Sequence, residues 1–297
     1  MTTASIFDRL LDRVSAGEDL GADELTELAA THDILLLGTL GDVTRRRLHA
    51  NHVTYLRVAT CAHDEPFVVP TAARELRITT VPDTLDDALR IVQAAKQAAG
   101  LRTVSAFSWA DIELLASGGS VQLPDGLAAL RAAGLDALAE IAIDSVGNLE
   151  IAVEQLGRAG FERLRLTIEK ASAGERTALA LHASAVQRRH GTIHAINPLP
   201  TVVNAFQPTT GYDDVKAVAI ARLAAPNIAS VQVDWHRYGP KLAQVALTFG
   251  ADDFDGVTAS DEAPDGRRRA PLEEVRRGIE AAGFTPVERD GRFQVVS

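Results

Sequence analysis

The feature that most constrains the fold is a regular alternation of short apolar runs and helical patterns that begins after Asn51. The apolar runs predict strands, and most of the stretches between them repeat apolar residues every three or four positions, which predicts helices. Eight strands with helices between them favour a parallel sheet, and 297 residues suit a closed (βα)8 TIM-like barrel of the α/β class. The predicted strands are Val53–Ala59, Leu76–Thr80, Arg102–Phe107, Leu138–Ile143, Arg163–Glu169, Thr192–Asn197, Ile228–Asp234 and Asp253–Gly256.

Two smaller regions flank this barrel in a chain that we expect to form one domain overall. Residues 1–50 read as an N-terminal helical lead-in, and residues 51–256 form the predicted barrel. Residues 257–297 hold a loop, an amphipathic helix over Leu272–Ala282 and two short strand patterns, Thr285–Glu288 and Arg292–Val296. The residues between these patterns, Arg289-Asp290-Gly291, favour a terminal hairpin packed on the barrel.

The connection between the first two predicted strands departs from the pattern. Residues 63–74 contain Pro66 and Pro70 and have no helical period, so the first βα unit is predicted to be shortened. An ordinary parallel crossover would carry a helix there.

Composition excludes several classes of function. The formal net charge is −10, which argues against a nucleic-acid partner, because phosphate contacts need clustered Lys and Arg. No apolar run approaches the ~18 residues that a membrane span needs. The N-terminus lacks the basic region and apolar run of a signal peptide, so we expect a cytoplasmic location and no membrane partner. The chain has one cysteine, Cys61, whereas a [4Fe–4S] cluster of the usual kind needs several thiolates.

The segment over residues 239–256, which reads GPKLAQVALTFGADDFDG, is distinctive. It resembles the radical S-adenosylmethionine (SAM) family of aminofutalosine synthase, dehypoxanthine futalosine cyclase and the deazaflavin (FO) synthase subunits. Shorter stretches resemble the same family in the same order, over residues 46–55, 106–112, 133–138, 206–208 and 216–223. The resemblance implies a barrel fold and a place in menaquinone biosynthesis by the futalosine pathway.

The departures from this family concern the site of its cofactor. Family members follow the first strand with C-x-x-x-C-x-x-C, whereas residues 59–67 here read ATCAHDEPF. Thr79-Thr80 stands in place of the family's Gly-Gly pair, where Cβ atoms crowd the approach of SAM. The Gly-rich turn before residues 139–141 is shortened, and residues 167–170 replace the family's GHxE pattern. Joint loss of four features predicts a chain with no cofactor, neither cluster nor SAM.

Polar residues at the predicted strand ends are the candidate site, because barrels bind ligands at that face. Asp234 and His236 form a candidate acid–base couple, since period-2 spacing on a strand would place both on one face, and Glu140 is the third catalytic candidate. Each of these side chains could instead pair with its neighbours. The Trp235 ring could stack on a ligand, or it could pack on the next helix. The candidate ligand-binding residues are Asp111, Glu140, Glu169, Asn197, Gln207, Trp235 and His236.

Cys61 and His63 could hold a metal ion if His194 or His236 supplied a third ligand. The alternative is that Cys61 is a small residue at a strand end. We favour this alternative and predict no metal site.

The sequence therefore favours a cluster-less pseudoenzyme or partner subunit of menaquinone biosynthesis. Two alternatives stay open: an enzyme that uses cofactor-free acid–base chemistry on a small polar molecule, and a small-molecule-binding protein without catalysis. The shortened first unit would leave part of the barrel uncovered. Either Phe67-Val68-Val69 folds back over the gap or a second chain covers it, and we favour a homodimer or a complex with an active radical SAM homologue.

Overall fold

The computed structural model describes residues 3–118, 121–203, 205–206, 208–263 and 269–296. In these ranges, eight parallel strands form a closed barrel in chain order, because β1 pairs with both β8 and β2. The predicted (βα)8 TIM-like barrel is therefore confirmed. The strands are β1 (His52–Cys61), β2 (Glu75–Ile78), β3 (Thr103–Ser108), β4 (Ala137–Ala142), β5 (Leu164–Ile168), β6 (Ile193–Pro200), β7 (Ser230–Asp234) and β8 (Asp253–Thr258).

Helices surround the barrel and shield the outward-facing apolar side chains of its strands. In the part of the chain that the structure describes, no helix has the length and apolar character that crossing a bilayer requires. The helices are α1 (Thr3–Ala16), α2 (Ala22–Ala30), α3 (Ile34–His49), α4 (Leu85–Ala99), α5 (Trp109–Ser117), α6 (Leu123–Ala133), α7 (Leu149–Arg158), α8 (Arg176–His190), α9 (Gly211–Ala224), α10 (Trp235–Leu247) and α11 (Pro271–Ala281).

The connection from β1 to β2 contains no helix, as the sequence predicted. Phe67 and Val69 are half-buried and pack against the hydrophobic core, whereas Val68 is 70% exposed. The segment therefore folds back and covers part of the gap itself, which is one of the two alternatives left open by the sequence. The second chain expected at this place stays a prediction.

The C-terminal region adds a parallel pairing to the predicted hairpin. Residues Thr285–Arg289 form a ninth strand, β9, which pairs in parallel with the first half of β1, from His52 opposite Thr285 to Leu56 opposite Arg289. The residues that follow turn back on β9 through an antiparallel bridge between Arg289 and Val295, and the Val296 N–H donates to the carbonyl oxygen of Glu288 at 2.9 Å. The physical reason lies in β1, whose residues extend beyond the end of β2 and leave backbone groups that β9 satisfies.

The turn that follows β9 meets side chains inside the barrel. The Phe293 ring lies 4.1 Å from the centre of the His194 ring and 4.1 Å from the Arg289 guanidinium carbon. A Cβ atom added at Gly291 would lie 2.6 Å from Glu75 Oε2 and 2.6 Å from Thr103 Cβ, so this turn fits tightly against β2 and β3. The C-terminal segment is therefore part of the barrel's packing.

We expect Gly291→Ala to destabilise the protein by about 1–3 kcal/mol, because the added methyl group overlaps two buried side chains. The free energy of unfolding in urea measures this effect. Gly147→Ala is the matched control, because a Cβ atom at Gly147 meets nothing within 4 Å. Equal stability of the two variants would show that the turn does not pack against β2 and β3 in solution.

Candidate functional site

Charged side chains of opposite sign from three strands meet inside the barrel. Arg77 of β2 binds both carboxylate oxygens of Asp255 on β8, at 3.0 and 3.1 Å, and also reaches Glu75 Oε1 at 2.7 Å. Arg165 of β5 contacts the same two carboxylates, at 3.3 Å from Asp255 and 3.4 Å from Glu75. Ser105 of β3 donates to Glu75 Oε1 at 2.5 Å. We call this group, Glu75, Arg77, Ser105, Arg165 and Asp255, the interior network.

The interior network balances its own charge. Burial alone would raise the pKa of the Glu75 and Asp255 carboxyl groups, but Arg77 and Arg165 outweigh burial and hold both pKa values below their usual range. The pKa of Arg77 is raised by the same carboxylates, which outweigh the opposing effect of burial. Two cations and two anions thus neutralise one another across the barrel.

A second charged group lies deeper, beside β9. Arg289 binds both oxygens of Asp253 at 2.6 Å, while Thr54 and Gln232 donate to the same carboxylate at 2.5 and 2.8 Å. Asp253 is completely buried. The two charged groups occupy successive inward positions of β8, two residues apart.

Asp234, a catalytic candidate, ends β7 and caps α10. Its Oδ1 atom accepts a hydrogen bond from the backbone N–H of Arg237 at 2.8 Å. Burial raises the pKa of Asp234, and the nearby Asp255 carboxylate raises it further. A carboxyl group with a raised pKa can hold a proton, which is one property of a general acid.

The expected pairing of Asp234 with His236 on one strand face is wrong. β7 stops at Asp234, and a short helical turn begins at Trp235, followed by a kink at Gly239 before the rest of α10. His236 therefore lies in the first turn of α10, where its side chain is exposed. Glu140 lies on β4, with β5 and β6 between it and β7, so it is on another part of the barrel from Asp234 and His236.

Trp235, the aromatic candidate, is 7% exposed and packs outside the barrel. Its ring centre lies 5.2 Å from that of Phe254, and the edge of the ring approaches Gly278 of α11. This is the packing alternative that the sequence left open. Nothing in the structure tests whether Trp235 also contacts a ligand.

Two of the acidic candidates have local partners. Asp111 completes a capping box at the start of α5, where its Oδ2 atom accepts from both the N–H and the hydroxyl of Ser108 at 2.7 Å. Glu169 follows β5, and its Oε1 atom lies 3.6 Å from Lys170 Nζ.

The remaining candidates lie apart from one another. Glu140 is half-buried and lies opposite Ser108 in the pairing of β3 with β4. Asn197 is 5% exposed, and its Oδ1 atom accepts the N–H of Leu199 at 3.0 Å. Gln207 lies outside the described residues. The ligand-binding roles of these side chains stay predictions.

Sequence reasoning missed the interior network and the Arg289–Asp253 pair. A signal was present, because Asp253 and Asp255 are two residues apart in a predicted strand, and Glu75 and Arg77 have the same spacing at the start of another, predicted from Leu76. Such spacing places both charges on one face, and charges inside a barrel must be paired. The choice of partners across the barrel cannot be read from spacing alone.

The residues present do not fit the family's [4Fe–4S] cluster. Cys61 is the single thiol; it is 9% exposed, and its Sγ atom lies 3.9 Å from the carbonyl oxygen of Val68. His63 is engaged by Thr80, whose Oγ1 atom lies 2.6 Å from His63 Nδ1. Over the described ranges, no three His, Cys, Asp or Glu side chains are arranged to hold a metal ion.

Comparison with solved structures defines the class of fold. The chain resembles methylornithine synthase with a TM-score of 0.66 and 15% identity, over 93% of this chain and 97% of that one. It resembles the FeFe-hydrogenase maturase HydG of Carboxydothermus hydrogenoformans with a TM-score of 0.69 and 11% identity, over 98% and 81%. At these identities the likeness shows a shared barrel fold.

Comparison of sequences identifies relatives. Residues 196–297 match the family described as the CofH/MqnC C-terminal region. The chain is 34% identical to a 5-amino-6-(D-ribitylamino)uracil–L-tyrosine 4-hydroxyphenyl transferase of Archaeoglobus fulgidus, over 37% of this chain and 36% of the relative. It is 34% identical to an aminodeoxyfutalosine synthase of Streptomyces coelicolor over 30% and 25%, and 28% identical to that of Thermus thermophilus over 70% and 64%.

These matches confirm the resemblance to this radical SAM family that the sequence predicted. The chain spans about a third and a quarter of the lengths of the first two relatives, at 36% and 25%. The absence of the cluster motif is read from the sequence, in which Cys61 is the single cysteine.

We expect Asp255→Asn to destabilise the fold by about 3 kcal/mol or more, because it leaves Arg77 and Arg165 with one carboxylate between them. Asp261→Asn is the matched control: Asp261 pairs with Arg57 at 3.2 Å but is 71% exposed, so its loss should cost less than about 1 kcal/mol. Urea unfolding of both variants measures the difference. Similar small losses would mean that the interior network contributes little to stability.

We also expect His194 to make stability depend on pH. Burial first, and then Arg163 and Arg289, lower the pKa of His194 from 6.5 to about 4. Between these values the unfolded chain binds a proton that the folded chain does not, so the free energy of unfolding falls as the pH falls, by up to about 1.4 kcal/mol per pH unit.

The test of this dependence is the slope of unfolding free energy against pH over that window. His194→Gln should reduce the slope by about one proton, whereas substitution of the exposed His236 by Gln should leave it unchanged. An unchanged slope in His194→Gln would contradict the burial of this ring.

Proposed function

We propose that this chain is a cluster-independent relative of the radical SAM enzymes, a pseudoenzyme that serves menaquinone biosynthesis as a partner of an active homologue. The observation that carries this proposal is the state of Cys61. It is the only thiol in the chain, it lies at the end of β1 where the family binds its cluster, and it is buried. Reductive cleavage of SAM needs an electron from a cluster, and one thiolate cannot hold one.

The contacts at the end of β2 support the same proposal. Thr79 and Thr80 follow β2 at the place where the family's glycine pair admits SAM. Thr80 accepts the backbone N–H of His63 at 2.7 Å as well as lying against its ring, and Thr79 bonds to the carbonyl oxygen of Cys61. These contacts hold the connection between β1 and β2 against the end of β2. The backbone N–H of His63 and the carbonyl oxygen of Cys61 are thereby hydrogen-bonded within the protein.

The proposed place in menaquinone biosynthesis comes from the similarity to the relatives. The matched proteins are named for the synthesis of aminodeoxyfutalosine and for the transfer of a 4-hydroxyphenyl group from L-tyrosine. Because the chain is similar to these proteins and has one cysteine in place of the cluster motif, we infer a role in the same pathway without radical catalysis. The proposed location is cytoplasmic, and the proposed partner is an active homologue or a second copy of the chain.

The acid–base alternative has weaker support. The raised pKa of Asp234 favours it, but His236 is exposed on the helical turn that Asp234 caps, and Glu140 lies on β4, with two strands between it and β7. An enzyme of this kind would need a different second group.

Anaerobic reconstitution with iron and sulfide tests the loss of radical chemistry. We expect no stoichiometric iron, no cluster absorption and no formation of 5′-deoxyadenosine from SAM, whereas an aminodeoxyfutalosine synthase treated in parallel should show all three. A cluster that persists in Cys61→Ala, or cleavage of SAM by the purified chain, would refute the proposal.

The partner role is tested by adding the chain to an active aminodeoxyfutalosine synthase and measuring turnover and co-purification. Val68→Asp is the informative variant, because Val68 is 70% exposed while its neighbours Phe67 and Val69 pack on the core. We expect this substitution to weaken association without unfolding the chain. Light scattering that shows a strict monomer at high concentration, together with no effect on the synthase, would contradict the partner role.

A further inference from the structure

A small cavity lies away from the barrel axis, beside the carboxyl ends of β5 and β6. Its volume is about 220 Å³, and its walls come from the segments that follow β5, β6 and β7. Barrels of this class place their ligands on this face. The lining residues are Lys170, Ala171, Arg176, Pro200, Val202, Val203, Pro208, Thr209, Asp214 and Tyr238.

Arg176, the first residue of α8, is the most unusual member of this lining. Its side chain is 3% exposed, and its Nε atom donates to the carbonyl oxygen of Ala171 at 3.3 Å. The other two guanidinium nitrogens, Nη1 and Nη2, have no hydrogen-bond partner among the described residues. A buried cation with two unused donors is costly unless a ligand supplies the acceptors.

Asp214, in the first turn of α9, faces the same cavity. Its Oδ1 atom lies 3.5 Å from Arg176 Nη1 and likewise has no hydrogen-bond partner within the described ranges. Burial raises the pKa of the Asp214 carboxyl group, although Thr209 and Arg176 oppose the rise. The two side chains therefore form an ion pair, but Nη1, Nη2 and Oδ1 make no hydrogen bond within the described ranges.

The remaining walls are mainly apolar. Val202 and Pro208 contribute aliphatic surface, and the Tyr238 side chain is held in place because its hydroxyl donates to the carbonyl oxygen of Pro200 at 2.7 Å. Arg176 is the buried cation of this lining, whereas Lys170 is exposed and lies 3.6 Å from Glu169, which balances its charge. Burial raises the pKa of the Asp214 carboxyl group and disfavours its charged form, so a neutral hydroxyl suits this group better than an ammonium group does.

We propose that this cavity binds a small 2-hydroxy acid with an apolar side chain. The ligand's carboxylate accepts from Nη1 and Nη2 of Arg176, and its hydroxyl, on the adjacent carbon, donates to Oδ1 of Asp214. The short separation of these protein atoms requires the carboxylate and the hydroxyl to be neighbours, which defines the 2-hydroxy class. This site is separate from the interior network, and it does not depend on the proposed partner role.

Calorimetric titration of the full chain tests the proposal with four probes. Racemic 2-hydroxy-3-methylbutyrate is the expected ligand, 3-methylbutyrate lacks the hydroxyl, L-valine is the matched zwitterion, and inorganic phosphate is a simple anion. We expect 2-hydroxy-3-methylbutyrate to bind at least about tenfold more tightly than the other three, because a site built to accept a hydroxyl proton rejects analogues that lack it or carry the wrong charge.

Substitutions connect the binding to these side chains. Arg176→Met should abolish binding of the hydroxy acid, while Arg188→Met, an exposed arginine on the same helix, should leave it unchanged. Asp214→Leu should remove the preference for the hydroxy acid over 3-methylbutyrate. If circular dichroism shows that Arg176→Met is unfolded, this second variant tests whether the hydroxy acid binds at the proposed site. No binding of the hydroxy acid at millimolar concentration, equal binding of 3-methylbutyrate or phosphate, or full binding by folded Arg176→Met would each overturn the proposal.

Discussion

Three aspartates in and before β8 each hold a buried arginine from another part of the chain, and the barrel depends on these pairs. Asp252 binds Arg222 of α9, Asp253 binds Arg289 of β9, and Asp255 binds the arginines of β2 and β5. Each carboxylate is almost fully buried, so loss of one partner would leave an uncompensated charge in the interior. Residues 239–256, the segment by which the chain resembles its relatives, therefore also connect α9, the strands β2 and β5, and the C-terminal strand β9.

The sequence was sufficient to predict the barrel because its strands are buried on the outer face and separated by amphipathic helices, which produces a strong alternation. It missed two features. A short helical turn begins at Trp235, before the kink at Gly239, because Asp234 supplies a side-chain cap that a pattern of apolar residues does not reveal. Residues 285–289 meet the residues that follow them, as predicted, but the exposed edge of β1 provides a second and longer parallel partner. Short strand patterns indicate that a strand exists but leave its partner open.

The candidate site shows more clearly what the sequence alone does not reveal. Polar residues at strand ends could be identified from the sequence, but their roles depend on which neighbour each one meets. Asp111 closes a helix cap, Asn197 bonds to its own loop and Trp235 packs outside the barrel. Arg176 and Asp214, two of the side chains with unused hydrogen-bonding atoms, lie in helices, where an arginine or aspartate is usually a solvated residue. Only the three-dimensional contacts show that they are buried and unsatisfied.

The pairing of β9 with β1 has a consequence for the order in which the molecule assembles. Arg57 on β1 binds Glu288 on β9 at 2.6 Å, across 231 residues of sequence. During synthesis, β1 leaves the ribosome long before its neighbours β8 and β9 exist. Until then, the backbone groups of β1 that pair with these strands, and the Arg57 side chain, lack their final partners. Contacts so distant in sequence close slowly, and unpaired parallel strands are prone to aggregation in the interval. The first half of β1 is therefore an open strand edge until the C-terminal strands are made, and this interval is when association with other chains competes with folding.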